Sequence, residues 1–120
     1  LELGRIVIFA CGPGSPFFTT DTAAALRANE IEADALLKGT KVDGIFTADP
    51  HKNPDATFLS RVTFDRALGD HLGVMDATAL SLCRDNGMPI LVYNLTQEGN
   101  TRRILTGEPI GTRVEGENGT

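Results

Sequence analysis

Cysteine and histidine are scarce in this sequence, and neither is arranged as a disulfide framework or a metal cage requires. Among the 120 residues, the only cysteines are Cys11 and Cys83 and the only histidines are His51 and His71, and no CxxC spacing occurs. Disulfide-stabilised domains and zinc modules both need several closely spaced ligands. The scarcity predicts two reduced, mostly buried thiols in a cytoplasmic protein, and no metal site made of protein side chains alone.

Long apolar runs and an excess of basic residues are also missing. No stretch approaches the roughly 18 apolar residues that cross a bilayer, so no membrane segment is predicted. The 16 acidic and 11 basic side chains give a formal net charge of −5, whereas binding to nucleic-acid phosphates needs a basic surface. Hydrophobic residues make up 41% of the chain, which is typical of a folded domain and excludes disorder over most of its length.

Three short, nearly continuous apolar runs predict strands that are buried on both faces, as in a parallel sheet. They lie at residues 4–11, 35–38 and 89–94. A loop and a helical pattern separate the first two, and the order strand, loop, helix, strand is the signature of a βαβ unit. The sequence therefore predicts a layered α/β fold with three or four parallel strands.

Capping residues mark the predicted helices. One helix is expected at residues 21–32, and further helices are expected after the capping residues Thr63, Asp76 and Asn100. A glycine follows each of the last two patterns, as is common just beyond a helix end.

Two segments lack any helical or strand pattern. Residues 42–62 are rich in Asp, Gly and Pro, which predicts turns and a small hairpin at 44–47. Residues 115–120 are polar and contain two glycines, so they are predicted to fray.

The first candidate site is the loop at residues 12–21, which reads GPGSPFFTTD. It connects the end of a predicted strand to the start of a predicted helix, where unpaired N–H groups and the helix dipole favour a phosphate. The glycines allow close backbone approach, Thr19 and Thr20 add hydroxyl donors, and two phenylalanines could pack a base. The alternative is a capped helix with Phe18 as a hydrophobic staple and no ligand. The loop is neither a Walker A motif nor a GxGxxG motif.

The second candidate site is the loop at residues 38–50, which reads KGTKVDGIFTADP. It leaves the carboxyl end of a buried strand, where open α/β sheets place their ligands. Its lysines, Thr40 and an aromatic side chain could hold a nucleotide, although a plain turn explains the Asp-Gly pair equally well. Two such loops at one sheet edge suit phosphoryl transfer, because its two reactants must meet.

Together the two loops resemble those of the bacterial-type UMP kinases of the amino-acid-kinase superfamily. Residues 14–21 are similar to the family's uridylate loop GNPFFTTD, with Ser15 where Asn is common, and Pro13 stands where a residue such as Thr is frequent. Residues 38–50 resemble the family's ATP loop. The similarity runs over nearly the whole chain. It implies that residues 1–120 form the C-terminal, nucleotide-binding half of an α/β/α sandwich with a mostly parallel sheet.

The resemblance implies that the protein transfers the γ-phosphoryl group of Mg²⁺-bound ATP to UMP, giving UDP and ADP in pyrimidine nucleotide biosynthesis. The residues that it places around UMP are Pro13, Gly14, Ser15, Pro16, Phe17, Phe18, Thr19 and Thr20. The residues that it places against ATP are Thr40, Phe46 and Asp49. It puts Asp21 at the reaction centre, where a carboxylate can orient a cationic side chain or Mg²⁺. Asp76 matches a further aspartate of the family, and a helix cap is the alternative interpretation of that residue.

Members of the family are about twice as long, and their N-terminal half carries a phosphate loop with Lys and Gly and an Asp for the ribose. Neither feature is found in these residues, so we expect the chain alone to have little or no activity. The resemblance also implies a homohexamer regulated by GTP and UTP. Two other interpretations stay open: a non-catalytic nucleotide-binding or regulatory module, and another kinase of the superfamily.

Overall fold

The computed structural model of the chain describes residues 8, 20–48, 52–70, 72 and 75–116. The strand predicted at residues 4–11 falls almost wholly outside these ranges. Ile8 is its one described residue, and it is exposed and outside any strand. No helix in the described ranges is long and apolar enough to cross a membrane.

Four helices and six strands follow one another in the described chain. In order they are α1 (Thr20–Glu30), β1 (Leu36–Thr40), β2 (Ile45–Phe46), β3 (Phe58–Leu59), β4 (Arg61–Thr63), α2 (Phe64–Gly69), α3 (Ala77–Asn86), β5 (Ile90–Asn94), α4 (Asn100–Leu105) and β6 (Thr112–Glu115). The four predicted helices and the strands near 35–38 and 89–94 are thereby confirmed.

The main sheet has four strands in the order β1-β5-β6-β4. The β1–β5 and β4–β6 pairs are parallel, and the β5–β6 pair is antiparallel. The prediction of a mostly parallel α/β fold is confirmed, and the sheet contains one antiparallel pair in addition to its two parallel ones. The apolar-run criterion missed β4 and β6 because both alternate polar and apolar residues, as strands do when only one of their faces packs in a core.

One face of this sheet packs against α1, α2 and α3. Ile90 and Val92 of β5 share that face with Val114 of β6 and Val62 of β4, and all four are almost completely buried. The helices contribute mainly small residues and a few large ones to the same cluster, among them Ala25, Ala28, Phe64, Ala67, Ala79, Leu80 and Cys83. Small residues let the helices approach the sheet closely, so the core is thin and sensitive to added volume.

The helix ends follow the predicted capping chemistry, with one exception. Thr63 accepts a hydrogen bond from the amide of Arg66 at the start of α2, and Gly87 ends α3 in the left-handed conformation. For α4 the N-cap is Gly99, with no side-chain bond, and Asn100 is the first helical residue. The prediction that Asn100 caps α4 is therefore correct to within one residue, which is the usual uncertainty of a helix boundary.

The predicted hairpin at 44–47 does not turn back on itself. Instead, β2 pairs antiparallel with β3, which lies a dozen residues later, with Ile45 opposite Leu59 and Phe46 opposite Phe58. The long intervening loop hid this pairing, because the strongest short-range hairpin signals involve connections of two to five residues.

The prediction that the tail frays from residue 115 is wrong at its first residue. Glu115 ends β6 with only 2% of its surface exposed, between Arg61 and Arg113. Arg113 Nε lies 2.5 Å from one carboxylate oxygen, and Arg61 Nε lies 2.5 Å from the other as an ion pair without hydrogen-bonding geometry. A buried carboxylate needs such partners, and sequence composition does not reveal that Arg61, 54 residues away, is one of them. Residues 117–120 lie outside the described ranges.

Gly111 and Gly107 provide a matched test of close packing at the start of β6. Both have positive φ, +74° and +90°, but a Cβ at Gly111 would lie 2.1 Å from the carbonyl oxygen of Val92, while nothing lies within 4 Å of one at Gly107. We expect Gly107→Ala to cost about 1 kcal/mol for the left-handed conformation. Gly111→Ala should cost about 3 kcal/mol or more, because backbone must move as well. Urea denaturation measures both, and equal losses would contradict the assigned contact.

The thiol of Cys83 provides a pH-dependent test of the core. Burial raises the pKa of the Cys83 thiol to about 11, so the folded chain keeps a proton that the unfolded chain loses. We therefore expect stability to fall as the pH rises from about 9 to about 11. At pH 8, with Cys11 replaced by Ser, a thiol reagent should modify the folded chain about 100-fold or more slowly than the urea-unfolded chain. Equal rates would show that Cys83 is accessible.

Candidate functional site

The first predicted site is described at its helical end, where α1 begins with Thr20 and Asp21. Thr20 is exposed and Asp21 is partly exposed in the first turn of this 11-residue helix. The amides of a first helical turn have no intrahelical partner, and the helix dipole is positive there. The start of α1, with the exposed hydroxyl of Thr20, is therefore a position that suits an anion.

Asp21 is tied to the sheet by an ion pair. Lys38 Nζ on β1 lies 3.1 Å from Asp21 Oδ2, and the two side chains are only 27% and 31% exposed. Lys38 is in register with Val92, so its side chain lies on the same sheet face as the core and the helices. A cation on that face compensates the carboxylate at the helix start and fixes its orientation.

Asp76 connects the starts of α1 and α3. Its Oδ1 accepts the amide of Ala79 at 3.0 Å as the N-cap of α3, and it also accepts the hydroxyl of Thr22 at 3.2 Å. The helix-cap interpretation of Asp76 is thereby confirmed. Because the same carboxylate binds Thr22 in the first turn of α1, it holds the N-termini of α1 and α3 beside each other.

The described part of the second predicted site is a loop that is fixed by its own hydrogen bonds. Thr40 at the end of β1 contacts the carbonyl oxygens of Val42, at 2.7 Å, and of Tyr93, at 3.2 Å. Asn94 donates to Asp43 at 3.2 Å. These bonds hold the loop against the end of β5, and they use the hydroxyl of Thr40 internally.

The aromatic residue of this loop packs on the second strand of the small hairpin. The rings of Phe46 and Phe58 meet edge to face, with centroids 5.4 Å apart, a favourable geometry for an aromatic pair. Phe46 is half-buried and Phe58 is 41% exposed, so part of this pair faces solvent and is available to a planar ligand.

The structure thus brings the helical end of the first predicted site and the described part of the second to the same end of β1. Lys38, which holds Asp21, lies two residues before Thr40 on the same strand. Of the predicted residues, Thr20, Asp21, Thr40 and Phe46 are described. Those outside the described ranges are Pro13, Gly14, Ser15, Pro16, Phe17, Phe18, Thr19 and Asp49.

Sequence reasoning gave Lys38, as one of the loop lysines, to a nucleotide and missed its pairing with Asp21, and it gave Thr22 no role. Lys38 is a charged residue at the end of an apolar strand, and that contrast was an available signal of a specific partner. Thr22 carried no signal, because its partner lies 54 residues away and a threonine in the first helical turn is ordinary.

Known proteins resemble this chain over most of its length. Residues 1–94 match the sequence model of the amino acid kinase family. A UMP kinase from Bacillus anthracis is 38% identical, with a TM-score of 0.85 over 88% of this chain and 44% of that one. A UMP kinase from Ureaplasma parvum is 42% identical, with a TM-score of 0.80 over 87% of this chain and 45% of that one.

A more distant resemblance extends to another kinase of this group. Aspartate kinase from Synechocystis is 27% identical, with a TM-score of 0.63 over 81% of this chain and 15% of that one. The chain spans less than half the length of each of the three solved structures.

Comparing Asp76→Ala with Asp76→Asn distinguishes the contribution of the helix cap from that of the negative charge. Asp76→Ala should destabilise the chain by about 1 kcal/mol, since the N-cap bond to α3 is lost. Asp76→Asn should stay close to the wild type in stability, because Asn is an equally good N-cap. Thr63→Ala, at the cap of α2, is the control for losing a cap away from the site. Thermal or urea unfolding measures all three, and an Asn variant as unstable as the Ala variant would contradict the capping role.

Proposed function

This chain belongs to the amino acid kinase family, and from that premise we propose that it is the nucleotide-binding part of a UMP kinase. The reaction would move the γ-phosphoryl group of ATP to UMP and release UDP and ADP, a step of pyrimidine nucleotide biosynthesis in the cytoplasm. The observation that carries the proposal is the Asp21–Lys38 pair at the start of α1. It ties the end of the PFFTTD motif to the strand that leads into the second nucleotide loop.

The UMP side of the proposal rests on the first turn of α1. A nucleoside monophosphate presents a dianionic phosphate, and the N-terminus of a helix with the hydroxyl of Thr20 is a suitable place for it. We propose that residues 13–19 complete this side, with Phe17 and Phe18 against the uracil ring or shaping its pocket. The similarity of residues 14–21 to a uridylate loop supports this assignment.

The ATP side rests on the loop that follows β1. We propose that Thr40, Phe46 and Asp49 contact ATP. The hydrogen bonds of Thr40 and Asn94 give the loop a defined shape before any nucleotide binds, which lowers the entropy cost of binding. The hydroxyl of Thr40 already bonds within the protein, so its contribution would be to shape the loop or to exchange partners.

Asp21 is proposed as the catalytic residue. Phosphoryl transfer depends almost entirely on positioning and charge compensation, because the transition state is loose and carries charge on its equatorial oxygens. Asp21, held by Lys38, would keep a cation next to the transferring group. The described residues contain no group of three or more His, Cys, Asp or Glu side chains that could hold a metal ion. We propose that Mg²⁺ enters with ATP and is held mainly by the phosphates, as is usual for this ion.

The lengths of the solved relatives indicate how much more structure a complete UMP kinase contains. The UMP kinases from Bacillus anthracis and Ureaplasma parvum are more than twice as long as the part matched here. We propose that a complete enzyme needs the phosphate loop and the ribose aspartate of the other half, and that the homohexamer and its GTP and UTP regulation depend largely on that half. A non-catalytic nucleotide-binding module is the alternative, since binding alone requires less of the fold.

A kinase for an amino acid is a weaker alternative. The match to aspartate kinase has lower identity and a lower TM-score than the matches to the two UMP kinases. The residues PFFTTD favour a pyrimidine nucleotide. Competition by UMP, and not by aspartate, at the first loop would separate the two substrate classes.

UMP binding tests the proposed substrate. We expect the chain to bind UMP more tightly than CMP in calorimetry or NMR titration. Thr20→Val should weaken UMP about tenfold or more, because a hydrogen bond to a charged group is worth about 1.5–3 kcal/mol. Thr57→Val, at an exposed threonine on another loop, should leave UMP affinity unchanged. Equal affinity for UMP and CMP with no effect of Thr20→Val would reject the UMP site.

Turnover tests the completeness of the site. We expect these 120 residues alone to form ADP from Mg-ATP and UMP slowly or not at all, because charge-compensating groups supplied by the rest of the fold are needed. CMP serves as the control substrate. Turnover at the level of a full-length UMP kinase, with UMP only, would show that this part completes the site alone and that our account of the missing groups is wrong.

A further inference from the structure

A buried hydroxyl joins the small β2–β3 hairpin to the main sheet. Thr112, the first residue of β6, is 1% exposed. Its Oγ1 accepts the amide of Ile45 at 2.8 Å and donates to the carbonyl oxygen of Leu59 at 2.5 Å. Ile45 and Leu59 face each other in the hairpin, so one side chain from β6 binds both of its strands.

Ile45 and Leu59 also pack against the core, but the hairpin's own pairing is short. Its ladder contains only two residue pairs, and an isolated two-stranded hairpin is marginally stable in water even when it is longer. The loop that joins the two strands passes through residues 47–57, so the turn itself does not fix the register. An anchor that bonds to both strands therefore has a large influence on where the hairpin lies.

Gly44 shows that the contact is tightly built. A Cβ at this buried position would lie 2.5 Å from Thr112 Oγ1 and 2.9 Å from the ring of Phe58. Only glycine lets the chain pass close enough for the next amide, that of Ile45, to reach the hydroxyl. The glycine of the VDG sequence and the threonine 68 residues later are thus two parts of one contact.

We propose that Thr112 is a positioning residue for the second nucleotide loop. Its hydroxyl latches the β2–β3 hairpin to β6 and so fixes Phe46, which follows Ile45 directly, at the place where a nucleotide meets it. The choice of Mg-ATP as the ligand rests on the proposed function, whereas the hydrogen bonds of Thr112 to the hairpin do not depend on it. Thr112 is not proposed to touch the nucleotide.

The matched variants are Thr112→Val and Thr112→Ser. Valine keeps the shape and removes the hydroxyl, which leaves the Ile45 amide and the Leu59 carbonyl without their partner. Serine keeps the hydroxyl and removes only a methyl group. Val114→Ala in the same strand is the control for general loss of stability, because Val114 is fully buried in the core and its side chain cannot form a hydrogen bond to the hairpin.

Two measurements test separately whether Thr112 holds the hairpin and whether this contact affects Mg-ATP binding. In hydrogen exchange, we expect the Ile45 amide of Thr112→Val to exchange about tenfold or more faster relative to the Val92 amide, and that of Thr112→Ser to stay near the wild type. In titrations, Mg-ATP affinity should fall about tenfold in Thr112→Val and recover in Thr112→Ser. UMP affinity should be unchanged, and Val114→Ala should change neither the relative exchange nor Mg-ATP affinity.

The outcomes distinguish this inference from the proposed function. Unchanged Ile45 protection in Thr112→Val would overturn the latch. Faster exchange with unchanged Mg-ATP affinity would overturn its role in positioning the loop, as would an equal loss of affinity in Val114→Ala. If the unaltered chain binds no Mg-ATP, the proposed function fails and the ligand part of this inference fails with it, whereas the exchange experiment still decides the latch.

Discussion

The parallel pairing of β1 with β5, whose residues Ile90 and Val92 are buried against the helices, is the constraint on which the site depends. Alternate residues of a strand point to opposite faces, so burial of Ile90 and Val92 fixes which residues of β1 face the helices. Lys38 pairs with Val92 in this register and therefore lies on the helix side. A shift by one residue would turn Lys38 to the other face and break its contact with Asp21.

Buried and half-buried polar side chains near the ends of the strands then fix the loops and helix ends of the proposed site by hydrogen bonds. Asp76 joins two helix N-termini, Thr40 and Asn94 shape the second loop, and Thr112 holds the hairpin. Each group is costly to bury without a partner and specific once it has one. The proposed site is therefore preorganised by hydrogen bonds that join residues far apart in sequence, which suits a reaction that depends on positioning.

Local signals predicted the elements that follow simple rules. The apolar runs at 35–38 and 89–94 and the caps Thr63 and Asp76 were sufficient, because an apolar run and a capping residue are properties of short segments. The alternating strands β4 and β6 and the buried Glu115 were missed. The apolar residues of these strands are few, and Arg61, one of the two arginines beside Glu115, is placed there by strand pairing.

The sequence by itself determined the α/β class, most of the elements and the two loops that identify the kinase family, since these depend on local pattern and on motifs. Only the tertiary structure decided which side chains meet. The pairs Asp21–Lys38, Thr22–Asp76 and Thr112–Ile45 join residues 17, 54 and 67 positions apart. The physical reason is that sheet register and helix packing choose such partners, and both depend on burial across the whole fold.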